Sequence, residues 1–178
     1  KLETDDMQNM AMGYAVSKEK KREAITEMIT ELCVSGVNAI VKSEERLQQI
    51  RSLFDLDGIT VFSDRGNRLV CRNGNYMAEA PDGRLGFEDE GYLSLFGDDD
   101  IFVESNMIKL RSQNPAAYAV TQEQEVGAAL QCLSRKEGIP YTMVSFEVFN
   151  RNRKWSDKDV TLLTLLGHCI GDLLNYSE

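Results

Sequence analysis

At Gly58 the spacing of the apolar residues changes from every third or fourth position to every second, and at Ser156 it changes back. Helices are therefore expected at both ends and strands in between. Before Gly58, Ile25, Met28, Ile29, Leu32 and Cys33 form one helical stripe, with Lys18, Lys20, Lys21 and Glu27 on the remaining surface. Ser17 reads as the N-cap of that helix and Gly36 as its stop. Met7, Met10, Ala11 and Tyr14 fall at helical spacing and predict a separate short amphipathic helix over the first 16 residues. Ser43 is expected to cap the next helix, with Glu44 and Glu45 in its first turn and Leu47, Ile50, Leu53 and Phe54 on its buried face.

Inside the alternating region, Ile59–Phe62 and Leu69–Cys71 read as a hairpin over residues 58–73, turning at Asp64-Arg65-Gly66-Asn67. Ile101–Val103 is a third strand. Val126–Ser134 and Tyr141–Phe149 form a second hairpin about Arg135–Gly138. Asn114-Pro115 opens a short helix to Gln122, by an Asn cap and a Pro in the first turn. Ser156 and Asp159 make the capping box of a last helix to about Leu174. Strands enclosed by terminal helices predict an α+β sandwich on an antiparallel sheet. Residues 73–100 are glycine-punctuated and acidic, yet hold Leu85, Phe87, Tyr92, Leu93, Leu95 and Phe96, the composition of a lid rather than a linker.

The last helix is apolar on two sides. Leu163, Leu166, Ile170 and Leu174 form one stripe; Leu162, Leu166, Cys169, Leu173 and Tyr176 form another at spacings of 4, 3, 4 and 3, a heptad seam. Two stripes call for two partners. One is the sheet. The other is the same helix of a second copy, giving a homodimer through Leu162, Leu166, Cys169 and Leu173, or else the helix is sunk in a large core.

A chain of 178 residues suits one domain with an adequate core. Its net charge of −9, with acids clustered at Asp5-Asp6, Glu88-Asp89-Glu90 and Asp98-Asp99-Asp100, argues against nucleic acid as a partner. Those runs lack the alternating ligands of a calcium loop and read as solvated surface. No apolar stretch approaches the roughly 20 residues of a membrane span. Glu3, Asp5 and Asp6 stand where a secretory signal would be basic or apolar, and a start on Lys1 suggests a piece of a longer protein. Cys33, Cys71, Cys132 and Cys169 lie 37 or more positions apart; with one His, zinc ligation is not expected, and reduced, buried thiols imply a cytoplasmic setting. No nucleophile elbow or phosphate-binding glycine loop is present, and His168 reads as a packing residue of the last helix.

From Gly127 to Leu174 the chain resembles the C-terminal half of a GAF domain. Ala129-Leu130-Gln131-Cys132 before the turn at Gly138 is similar to the penultimate GAF strand. Met143-Val144-Ser145-Phe146-Glu147 is similar to the next strand, with Ser145 in place of the usual Gly. Asn150–Ser156 resembles the Arg-x-Trp-Ser/Thr-x-x-acid passage into the terminal helix, in the form seen in bacterial signalling proteins ahead of diguanylate cyclase, phosphodiesterase or kinase modules. The resemblance implies a GAF-like domain over 41–178 behind an N-terminal helical segment over 1–40. Terminal helices would lie on one face of the sheet; residues 73–100 and 104–124 would cover a small-molecule pocket on the other. It implies a non-catalytic sensor, with a ligand-free dimer scaffold as the alternative and a thiol-dependent methionine sulfoxide reductase using Cys71 or Cys132 as the third reading. Asn150-Arg151, Trp155 and Asp159 echo the cyclic-nucleotide motif, but Val160 replaces its Glu. The Cys-His pair of bilin-binding relatives occurs only reversed, as His168-Cys169 in the terminal helix, and no axial His for haem stands in the right element. The expected pocket residues are Arg72, Tyr92, Ser105, Arg111 and Tyr118, with either Arg pairing a ligand carboxylate or phosphate. Cofactor and ligand identity stay open.

Overall fold

The computed structural model describes residues 2–36, 44–63, 69–72, 75–77 and 90–177. Two long helices, α1 (Leu2–Ser35) and α6 (Asp157–Ser177), bracket a six-stranded antiparallel sheet. Its strands are β1 (Gly58–Ser63), β2 (Leu69–Arg72), β3 (Asn75–Met77), β4 (Ile101–Glu104), β5 (Val126–Lys136) and β6 (Ile139–Phe149), in the order β3-β2-β1-β6-β5-β4. Between them come α2 (Glu44–Leu53), α3 (Glu90–Leu93), α4 (Leu110–Gln113) and α5 (Pro115–Glu123), with a 3₁₀ turn at Met107–Lys109. The α+β class expected from the switch in period is the fold found. The expected cap at Ser43 and the turn at 64–67 lie outside the described residues.

The central hairpin shows why the chain folds this way. Glu137 and Gly138 both take positive φ, 53° and 81°, the two-residue turn whose twist suits antiparallel strands. Lys136 then pairs with Ile139, and the register runs inward to Leu130 opposite Phe146. Along both strands successive side chains go to opposite faces. Ala128, Leu130, Cys132, Val144, Phe146 and Val148 enter one core; Ala129, Leu133 and Met143 enter the other.

The first core is closed by helices. Leu163, Leu166 and Ile170 of α6, Ala24, Ile25, Met28 and Leu32 of α1, and Leu47 and Ile50 of α2 are all buried there. The α6 helix can approach so closely because two of its contact positions are glycine. A Cβ at Gly167 would stand 2.7 Å from Cys132 Sγ, and one at Gly171 would stand 2.2 Å from Ser134 Oγ. The second core is closed by Tyr92, Phe96, Met107, Leu110 and Ala117 from the short helices and turns. Asn114 starts α5 as expected, its Oδ1 accepting the Ala117 N–H at 3.0 Å.

Two expectations are corrected. Ser17 caps nothing: α1 runs unbroken from Leu2 to Ser35. A lone Gly13 costs a helix only about 1 kcal/mol, too little to stop one anchored further along by Ile25, Met28 and Leu32. Gly36 does end it, at φ 73°, with its N–H on the Leu32 carbonyl at 2.9 Å. The second correction concerns the seam on α6. Leu166 is fully buried in the chain's own core, so it is not available to a second copy. Leu162, Cys169 and Leu173 are half-buried against that same core, and α1 lies alongside them. The second apolar side of α6 thus has a neighbour within its own chain.

Candidate functional site

On the face away from α1 and α6, three central strands present polar side chains in one row. Thr60 of β1 is in register with Ser145 of β6, and Ser145 with Gln131 of β5. All three are buried, as is Glu147 at 2% exposure two positions further along β6. Gln131 Nε2 donates to Ser145 Oγ at 3.2 Å, and the Tyr92 hydroxyl donates to Gln131 Oε1. Tyr92 is held by Phe96, edge to face at 5.8 Å, and Phe96 by Phe102 at 5.9 Å. Burial pushes the Tyr92 phenol well above its usual range, and the Glu147 charge adds to this against the opposing effect of its hydrogen bond with Gln131. The phenol is therefore a neutral donor at any ordinary pH.

Tyr92 from above, Phe62, Gln131, Ser145 and Glu147 from the sheet, and Val120 and Thr121 from α5 enclose a cavity of about 20 Å³. That is room for a water among several polar partners. The polar floor thus lies under a close cover of Tyr92, Val120 and Thr121.

The five expected pocket residues separate. Tyr92 lines this cavity. Arg72 is described by its backbone, which pairs with Gly58, itself in register with Glu147. Tyr118 lines a different, open depression of about 620 Å³, beside Met107, Gln122, Gly127 and Asn152, and its hydroxyl accepts from Gln122 Nε2 at 2.7 Å. Ser105 uses its carbonyl to accept the Arg153 N–H at 3.0 Å, and Arg111 is exposed on α4. Thr60, Gln131, Ser145 and Glu147 were not among the expected residues. Two of them carried a signal: Ser145 and Glu147 interrupt the apolar run Met143–Val148.

The Arg-x-Trp-Ser passage builds a clamp. Asp159 accepts from Lys21 Nζ of α1 at 2.9 Å and from Arg153 Nη2 at 3.1 Å. Arg153 also donates to the carbonyls of Phe54 and Asp55, and its guanidinium stacks 4.3 Å over Trp155. Trp155 Nε1 donates to the Glu104 carbonyl at 3.1 Å. Ser156 Oγ accepts the Asp159 N–H at 3.2 Å and so starts α6.

The three thiols among the described side chains lie elsewhere. Cys132 is sealed between β5 and α6, and burial pushes it up to about 12. Cys33 is exposed on α1 and Cys169 half-buried on α6, which corrects the expectation of buried thiols throughout. His168 is half-buried in α6. Among the described residues no three His, Cys, Asp or Glu side chains gather as a metal site would require, and no helix is long and apolar enough to cross a membrane.

No protein-family model matches the chain, and no curated protein matches it in sequence. Solved structures do. The phycoerythrobilin-bound GAF domain from a cyanobacterial phytochrome is 7% identical, with a TM-score of 0.66 over 89% of this chain and 96% of that one. The chromophore-binding domain of the Stigmatella aurantiaca bacteriophytochrome is 14% identical, with a TM-score of 0.63 over 86% of this chain and 59% of that one. The GAF domain from the Acinetobacter phosphoenolpyruvate-protein phosphotransferase is 10% identical, with a TM-score of 0.57 over 87% of this chain and 92% of that one. At these identities the likeness is one of fold: the chain has the GAF fold.

Proposed function

We propose that this domain is a non-catalytic sensor that takes a small molecule between the sheet and the α3–α5 cover and passes its presence to the α1–α6 helix pair. The observation that carries this is the buried row Thr60–Ser145–Gln131 with Glu147, roofed by Tyr92. A sheet face built only for stability would be apolar here, because a buried polar group without a hydrogen bond costs free energy, and Thr60 Oγ1 is buried in this row with no hydrogen-bond partner among the described residues. The route outward is short. Ser145 and Glu147 face the cavity while Val144, Phe146 and Val148 of the same strand bear on the helix-side core. A ligand that lifts the cover and shifts β6 moves both at once, a population shift between two packings.

Covalent tetrapyrrole attachment is not supported by the described thiols. Cys33, Cys132 and Cys169 are all on the α1–α6 side of the sheet. The sealed position of Cys132 likewise gives no support to its use as a reductase nucleophile. A compact ligand held by hydrogen bonds fits the floor best.

Thermal unfolding with a metabolite panel that includes cyclic AMP, cyclic GMP and biliverdin tests this reading. A binder at 100 times its Kd adds about 2.7 kcal/mol, and 1 kcal/mol is worth about 2–4 °C at this chain length, so a rise of roughly 5–10 °C is expected. Gln131→Leu, which keeps the volume and removes the amide, is expected to abolish the rise. No shift with any compound would favour the scaffold with a closed pocket.

Dimerisation is proposed along the terminal helices, but through α1. Lys21 lies by Asp159 and Cys33 by Cys169, so α1 and α6 run parallel and the first turns of α1 reach beyond the start of α6. There Met7, Met10 and Tyr14 are 71%, 75% and 63% exposed, on the stripe that Ile25, Met28 and Leu32 continue into the core. Light scattering is expected to give twice the chain mass, and Met7→Ser with Met10→Ser to give one. A monomer in both at high micromolar concentration would sink the dimer.

A further inference from the structure

We propose that Cys33 and Cys169 are a thiol-oxidation site whose disulfide fastens α1 to α6. This goes beyond the sensor reading and does not need the pocket to bind anything. The two cysteines lie 136 positions apart in the chain, and the parallel packing of the two helices brings them together. The Lys21–Asp159 pair fixes the level of one helix against the other at 2.9 Å. Cys33 lies twelve residues beyond Lys21 and Cys169 ten beyond Asp159, rises of about 18 and about 15 Å. The two thiols thus reach similar heights on adjoining helices. There Ile29 of α1 and Leu162, Cys169 and Leu173 of α6 pack at the same core, and Cys33 is close enough to act on the Cys169 thiol, as is Asp172 of α6. Both are free, Cys33 exposed and Cys169 half-buried, so a dissolved oxidant reaches the pair. Cys132, sealed beneath Gly167, is closed to the same reagent.

The exposed Cys33 is the group that meets the oxidant first. With hydrogen peroxide, its sulfur attacks one oxygen and the O–O bond breaks. Hydroxide leaves and takes up the thiol proton as water, and Cys33 becomes a sulfenic acid. Cys169, level with it on the adjoining helix, resolves it. Burial, reinforced by the neighbouring Cys33, pushes the Cys169 thiol up to about 11, so its sulfur must shed the proton as it attacks, and this second step is the slower one. Its sulfur attacks the Cys33 sulfur, the S–O bond breaks, the S–S bond forms, and hydroxide departs with the Cys169 proton as a second water. Two thiols and one peroxide give one disulfide and two waters, and a dithiol reductant reverses the linkage by exchange.

The test treats the full chain with a small excess of hydrogen peroxide under native conditions. Free thiols counted in denaturant are expected to fall from four to two. Intact mass is expected to fall by two hydrogens without forming a covalent dimer, and peptide mapping to join residues 33 and 169. The melting temperature should rise and return with dithiothreitol. Cys33→Ser and Cys169→Ser should each prevent the loss, while Cys132→Ser keeps it. A cross-link involving Cys71 or Cys132, a bond only between chains, addition of oxygen without a cross-link, or four thiols remaining would each overturn the proposal. The mapping is made on the unsubstituted protein, so it decides even where a variant fails to fold.

Discussion

Asp159→Ala is expected to destabilise the domain by about 3–5 kcal/mol, the range for removing one partner of a buried ionic cluster. Asp159 is the shared acceptor of Lys21 on α1 and Arg153 ahead of α6, and Asp159 and Arg153 are each only 11% exposed at the side chain. Without it, two cations face each other across a partly desolvated space, with the Phe54 ring 5.2 Å from Lys21 and the Trp155 ring against Arg153. Arg153 holds the loop before α6 to the carbonyls of Phe54 and Asp55, and Trp155 ties it to β4. Losing the carboxylate therefore loosens three elements at once. Lys21→Met should cost much less, because Arg153 still satisfies Asp159. Arg46→Ala, which removes pairs with Glu27 and Glu31 at a side chain 36% exposed, should cost about 1 kcal/mol. Urea unfolding of the three variants is the measurement. Equal small losses would mean that the passage into α6 is ordinary surface.

That clamp shows where the sequence was legible. The passage from Arg153 to Asp159 could be recognised as letters, and Ser156 could be read as a cap, because both are local. Its third member, Lys21, could not: it lies 138 positions from Asp159 and looked like one of several solvated lysines. The same division runs through the molecule. The central hairpin was readable because alternation and a Glu-Gly turn are short-range signals. The polar floor was half readable. Ser145 and Glu147 break an apolar run, but their meaning depends on Gln131 across the hairpin and Tyr92 above it. Ser105 and Arg111 belong to the segment expected to cover the pocket. Arg111 instead falls on an exposed side of α4, since a helix of four residues offers only one buried position, Leu110. The meeting of Cys33 and Cys169 had no sequence signal, because it depends on the level at which α1 docks on α6.

Leu166→Ala is expected to cost about 2–5 kcal/mol, the range for emptying a well-packed core position. The loss should be the same at low and high protein concentration. On spacing alone Leu166 belongs to both apolar stripes of the last helix. A heptad pattern says that a face is greasy; it does not say whose residues cover it. Here the cover is the chain's own sheet, and Gly167 and Gly171 bring the backbone of α6 too near β5 for the neighbouring side chains to yield space. The cavity left by the missing methyls would have rigid walls, which places the loss toward the upper part of that range. Leu165→Ala, at an exposed position one residue earlier, is expected to change stability by no more than about 0.5 kcal/mol. Urea unfolding of both variants at two concentrations tenfold apart separates the two origins. A seam shared with a second copy would make the Leu166 penalty shrink on dilution, because the parent protein would lose the contact too. A penalty that does not change with dilution removes Leu166 from any contact with a second copy and leaves the exposed turns at the start of α1 as the proposed one.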